Sequence, residues 1–253
     1  MSRKILIVAT SVKEIPERKL PTGVWLSTLA RFIRVVEHFN YDYTIMSPSG
    51  GEVKIDPLSL KWLFTKKGDW QYFRNPAFNQ RLQHTPSPRE INPNDYDAIY
   101  FAGGFGSLTD FPENEFLQDY TRQIYENGGI VSGIGHGIAG LMNVVLKDGH
   151  YLVDNKQVTA FSNFEELLKG TKKIVPFSVE DELKKRGAIY KKAVLPFALF
   201  MVSDRQVITG QSPCAAGSIA KEIVRLLHNV KDSIKDVSSV LIQDNSMSLK
   251  PGC

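Results

Sequence analysis

Cysteine is nearly absent from this chain. Cys214 and Cys253 are the two in 253 residues, too few for a disulfide framework and without the spacing of a metal site. Long apolar runs are missing as well. The run from 194 to 202 has the length of a core strand, far short of the ~20 residues that cross a bilayer, and the apolar run after Lys4 is too short for a secretory signal. Charge of one sign is not in excess either. Lys and Arg number 31 against 27 Asp and Glu, a net +4, which argues against nucleic acid or an anionic membrane as partner. The densest basic clusters, Lys66-Lys67 and Lys184-Lys185-Arg186, read as solvated helix ends. These absences leave a cytoplasmic protein as the expectation, and no internal repeat or low-complexity segment alters it.

What is present is an ordinary core, with 42% hydrophobic residues, arranged as alternating strands and helices. Residues 4–10 form a continuous apolar run of the kind buried on both faces of a parallel sheet. A loop over 11–21 precedes a helix opening at Pro21-Thr22, whose residues Val24, Trp25, Leu29, Phe32, Ile33, Val36 and Phe39 share one face. A second strand over 43–46 completes a βαβ unit. Residues 52–95, rich in Pro, Asn, Lys and aromatics, read as a cap-like insertion with short helices near 57–64 and 76–83. Strands follow at 97–102 and 129–134, with helices over 113–126 and 136–145. A hairpin is expected over 151–161, a short helix behind Ser178, two strands within 200–210 and a last helix over 215–228. The expected organisation is one α/β domain over 1–228, with a mostly parallel sheet and a polar tail over 229–253.

Ligands in such sheets bind beyond the carboxyl ends of the strands. Three segments end strands there: Thr10-Ser11, the Gly103-Gly104-Phe105-Gly106-Ser107 loop and Gly135-His136-Gly137. The last is the tip of a strand–turn–helix corner, where α/β enzymes place a nucleophile, and here the tip residue is glycine. Residues 135–140 also fit G-x-G-x-x-G, but the acidic residue of a dinucleotide site should follow about twenty positions on, in a βαβ unit. Asp154 is the nearest and falls in the expected hairpin, so no nucleotide cofactor is expected. The histidines show no metal-ligand spacing, and no metal is expected.

An ordered set of segments resembles the ThiJ/PfpI superfamily, in its branch similar to heat-shock protein 31 and glyoxalase III, with a fold like that of class I glutamine amidotransferases. The set comprises Thr22-Gly23-Val24, Asp56-Pro57, Tyr96-Asp97 with the Gly103-Gly104 loop, and Asn127-Gly128-Gly129 through His136-Gly137. It continues with Thr159 to Asn163 followed by Glu165-Glu166, Pro176-Phe177 with Glu180 to Leu183, Arg186-Gly187-Ala188, and Ile208 to Gln211 before Pro213. The resemblance implies a flavodoxin-like three-layer α/β sandwich, a homodimer, and an elbow cysteine followed by histidine with an acid from the first helix. It also implies cofactor-independent conversion of methylglyoxal to lactate, or deglycase, peptidase or chaperone roles.

Three positions depart from that pattern. Gly135 stands at the cysteine position, Thr28 at the acid and Phe105 at a loop histidine, leaving His136 as the remnant catalytic residue. The expectation is therefore a non-catalytic member, in one version stress-related and chaperone-like, that binds a partner or a small polar or carbonyl-type ligand, the ligand through Thr10, Gly104, Phe105, Gly106, Gly135, His136 and Gly137. The alternative is a glyoxalase III-like lyase, deglycase or amidase/peptidase-type hydrolase working through His136 with a bound water, or through Cys214.

Overall fold

Alternation along the first strand sets the architecture. In β1 (Lys4–Val8), Ile5 and Ile7 enter one buried cluster while Leu6 and Val8 enter another, so both faces of the sheet are apolar and each takes a layer of helices. The computed structural model describes residues 3–15 and 18–228; the expected tail over 229–253, with Cys253, lies outside the described residues.

The segment after β1 is more ordered than the expected loop. It holds a two-residue antiparallel pair, β2 (Glu14–Ile15) and β3 (Leu20–Pro21). Helix α1 (Leu26–His38) starts later than Pro21-Thr22 because the chain before it is held extended. Thr22 donates its hydroxyl to Asp56 at 3.0 Å, and the Val24 amide donates to the Lys54 carbonyl at 2.9 Å. The inner face of α1 packs on the sheet, with Phe32 stacked on Tyr100 at 3.7 Å between centroids.

Strand β4 (Asp42–Met46) returns beside β1. Helices α2 (Lys67–Phe73) and α3 (Pro76–Gln83) lie in the 52–95 segment. Then come β5 (Ala98–Phe101), the single turn α4 (Ser107–Asp110), α5 (Glu115–Glu126) and β6 (Ile130–Ile134). A 3-10 turn over Gly135–Ile138 leads into α6 (Ala139–Met142). That helix stops short of the expected 145: Asn143 turns its side-chain amide to the Pro112 carbonyl and to Glu113.

The expected hairpin over 151–161 does not form. Tyr151 bridges Val145, while β7 (Gln157–Val158) pairs in parallel with a strand some thirty residues on. Asp154-Asn155 does turn, with Asn155 at φ 55, but the Asn155 amide donates to the Gly187 carbonyl and so binds the chain to a distant partner. Helices α7 (Asn163–Lys169) and α8 (Val179–Lys185) precede that partner, β8 (Ile189–Tyr190). Strands β9 (Met201–Asp204) and β10 (Val207–Gly210) follow, and residues 216–228 form the last helix.

The main sheet runs β4-β1-β5-β6-β10-β9, parallel throughout except for β9 at the edge. This is the flavodoxin-like α/β arrangement. The order reverses between β1 and β5, and β1, β5 and β6 all present their carboxyl ends on the same side, where such sheets hold ligands. No helix among the described residues is long and apolar enough to cross a membrane.

Candidate active site

Strand β6 ends in the corner that carries the site. Gly135 adopts φ 56, a left-handed conformation that costs glycine little and other residues more. Space does not demand the glycine. A Cβ there would meet nothing nearer than the Gln211 carbonyl oxygen at 3.8 Å, whereas one on Gly137 would lie 2.5 Å from the carbonyl oxygens of Phe101 and Ala102. Gly137 is a packing glycine; Gly135 faces open volume.

His136, next along the turn, is buried between Phe105 and Phe161, whose ring centroids lie 4.9 and 5.0 Å from its own. Its Nε2 pairs with Glu166 Oε1 at 2.5 Å, and the Thr171 hydroxyl donates to Glu166 Oε2. Burial alone would raise the Glu166 pKa. The hydrogen bonds from His136 and Thr171 and the charges of His136 and Lys169 outweigh it and hold the carboxylate below its usual range. An ionised carboxylate can only accept, so Nε2 carries a proton, and in the neutral form of the ring Nδ1 is the acceptor. Nδ1 makes no hydrogen bond among the described residues.

Helix α7 places Glu166. Ser162 caps its N-terminus by accepting from the Glu165 amide, and Glu165 accepts in return from the Ser162 amide and hydroxyl. This reciprocal box fixes the first turn and points Glu166 at the elbow. Lys169 ends the same helix before Gly170 in the left-handed conformation, where a cation suits the helix dipole.

A cavity of about 530 Å³ opens above the elbow. Its floor is Gly103, Gly104, Ile134, Gly135 and His136. Trp25, Thr28 and Arg31 of the α1 region form one wall, residues 63–66 a second, and Ser212, Pro213 and Cys214 a third; Phe161, Leu168, Lys169 and Phe197 complete it. Lys66 is thus a cavity residue rather than simply a solvated helix end. Arg31 is locked in place, its Nε and terminal nitrogen donating to the buried Asp69 at 3.1 and 2.7 Å. Thr28 turns its hydroxyl to the Trp25 carbonyl at 2.7 Å. Among the described residues no three His, Cys, Asp or Glu side chains converge as metal ligands.

The expected ligand-binding set divides. Gly104, Gly135 and His136 line the cavity; Thr10, Phe105, Gly106 and Gly137 do not. Thr10 donates to Asp110 at 2.8 Å and packs against Gly106, so both belong to a neighbouring loop contact. Phe105 lies behind His136, and Gly137 against the end of β5. Asp110, enclosed by that loop contact, has its pKa pushed up to about 7 by burial, which the hydrogen bonds from Ser11 and Thr10 only partly oppose. Glu166 and Lys169 received no role from the sequence, since thirty residues separate Glu166 from its histidine. The available signal was an Asn-Phe-Glu-Glu helix start with a lysine one turn later.

Comparison with known proteins identifies relatives of this fold. The model of the DJ-1/PfpI family matches residues 78–226. The chain is 30% identical over 237 residues to the glutathione-independent glyoxalase HSP31 of Saccharomyces cerevisiae, covering 90% of this chain and 99% of that protein. The crystal structure of glyoxalase III from Candida albicans superposes with a TM-score of 0.82 at 27% identity, over 88% of this chain and 96% of that one. Rapid Encystment Protein 24 kDa of Francisella tularensis gives 0.83 at 35% identity, over 87% and 97%.

The relatives from Saccharomyces cerevisiae and Candida albicans correct the expectation of a non-catalytic protein, because they are similar over most of the chain and carry the names of glyoxalases. That expectation weighed Gly135, Thr28 and Phe105 against the remaining His136. It gave no weight to Glu166, which makes His136 half of a buried, hydrogen-bonded pair.

Proposed function

The chain belongs to the DJ-1/PfpI family, and from that premise we propose that it is a glutathione-independent glyoxalase, converting methylglyoxal and similar 2-oxoaldehydes to 2-hydroxy acids. The observation that carries this reading is the His136–Glu166 pair on the floor of an open cavity. The activities for which the relatives are named support it.

The reaction adds water and moves one hydrogen within the substrate. His136 Nδ1 takes a proton from water as the oxygen bonds to the aldehyde carbon. Glu166 holds the ring by Nε2–H and steadies the imidazolium that forms. The resulting gem-diolate passes its C–H hydrogen, with the electron pair, to the neighbouring keto carbon. The first carbon becomes a carboxylic acid and the second an alkoxide, which recovers the proton from His136; the acid then ionises. Methylglyoxal and water give lactate and one proton, so no external oxidant or reductant is needed. Gly135 leaves the aldehyde carbon room to approach the elbow backbone. A cytoplasmic location and a homodimer complete the proposal, resting on the family resemblance.

One observation favours a second route through the same site: Cys214 lies on the wall of the cavity that Arg31 also lines. A thiolate there would add to the aldehyde in place of hydroxide and give a thioester for water to cleave. The test is lactate formation from methylglyoxal without glutathione. If the intact chain forms none, the proposal fails. Loss of most of the rate in Cys214→Ser assigns the addition to the thiol, and retention assigns it to water.

A further inference from the structure

The cavity is large for methylglyoxal, which has five non-hydrogen atoms; about 530 Å³ lies in the range that holds far larger ligands. Its lining is also one-sided in charge. Arg31, Lys66 and Lys169 face it beside His136, and no Asp or Glu among the described residues does. Arg31 is neutralised by Asp69. Lys169 is different: its ammonium sits over four rings, 4.1 Å from the centroid of Trp25, 5.0 Å from Phe105 and 5.5 Å from Phe64 and Phe161, and has no hydrogen bond or ion pair among the described residues. Ring faces attract a cation but accept its N–H groups poorly, so three strong donors remain unmatched.

The carboxylates near Lys169 cannot fill that role. Glu166 is engaged by His136 and Thr171, Glu165 by Ser162 and the Phe197 amide, and Asp56 by Thr22 and the Leu58 amide. They lower the cost of a buried ammonium from behind without reaching it. Burial still pulls the Lys169 pKa below the ordinary lysine range, as expected for a cation short of polar contacts.

We propose that Lys169, in its aromatic cradle, is a specificity-determining residue that receives the anionic end of the substrate, and that this cavity selects 2-oxoaldehydes bearing a carboxylate on an apolar spacer. The apolar wall of Leu63, Phe64, Leu168 and Phe197 accommodates the spacer. The inference rests on the glyoxalase reading for its reaction and on the cavity alone for its charge preference.

The experiment compares kcat/KM for 4,5-dioxovalerate and its uncharged analogue 2-oxopentanal in the full chain. The charged substrate is expected to be preferred by about tenfold or more, mainly through KM, as a charge-assisted hydrogen bond gives. The preference should fall to about one in Lys169→Met and survive in Lys169→Arg, with Lys169→Gln as the second neutral variant if the methionine variant does not fold. Equal values in the intact chain, or a preference surviving the neutral substitution, overturn the inference while leaving the glyoxalase reading in place. If neither aldehyde is turned over, the glyoxalase reading falls, and calorimetry with unreactive 4-acetylbenzoate against 4-acetylbenzamide decides the charge preference. Tighter binding of the acid, lost in Lys169→Met, upholds the preference; equal binding ends it.

Discussion

Two carboxyl groups lie near the carboxyl ends of the central strands, and their surroundings drive them in opposite directions. Glu166 is a buried residue, yet its pKa is lowered, because His136, Thr171 and the charge of Lys169 outweigh the loss of water. Asp110 is partly exposed as a residue, but its carboxyl is enclosed by the Thr10–Ser11 loop with neutral donors only, and its pKa climbs to about 7. Burial therefore does not decide a carboxylate's role here; the presence of a cation does. Asp110 secures a loop, whereas Glu166 fixes the proton on one side of an imidazole so that the other side can act as a base.

The largest effect that would break this contrast is expected from His136→Ala, which should lower methylglyoxal turnover by about 100- to 10,000-fold, the usual range for a general base. Undiminished lactate formation would remove His136 from the mechanism. Glu166→Gln keeps the shape and should cost roughly 100-fold, since the amide can no longer support the imidazolium. If kcat in that variant matched the intact protein across pH, Glu166 would be no more than packing.

Gly135→Cys probes the open corner beside His136. With the nearest atom 3.8 Å from the new Cβ, it should fold and raise turnover by about tenfold through a lowered barrier to addition; an inactive but folded variant would show that a thiol there blocks the substrate.

The smallest effect belongs to Asp110→Asn, read by thermal unfolding. A carboxyl whose folded pKa is raised stabilises the protein below its unfolded pKa near 3.8, and that contribution is lost as pH rises through about 7. The asparagine variant should therefore match the intact protein near pH 4 and melt about 2–4 °C higher at pH 8. A higher melting point for the intact protein at pH 8 would mean that Asp110 is stabilised as the anion, like Glu166.

The strands of the sheet were legible because double burial writes itself as unbroken apolar runs, as in β1 and β5. The start of α1 was not, since Thr22 and Val24 are recruited by Asp56 and Lys54, thirty residues on. Nor was the pairing of β7 with β8, because alternation over 151–161 reads the same whether the partner is adjacent or distant. At the site, Gly135 and His136 stood out from the turn motif alone. Glu166 and Lys169 did not, because their meaning arises only when α7 lays them beside residues of the elbow and of α1. Thr10 and Phe105 stood in suitable loops, but hydrogen bonding to Asp110 and stacking behind His136 turn them away from the cavity.

Glu165 ties the helix start to the rim of the cavity. It closes the capping box with Ser162 and also accepts from the Phe197 amide at 2.7 Å, joining the loop around Phe197 to the helix that holds Glu166 and Lys169. A disturbance that frees this loop also releases the cap of the helix, and base and charge selector then lose their alignment together. Heat inactivation of such a protein should precede its global melting, and a saturating ligand in the cavity should close the gap between the two temperatures.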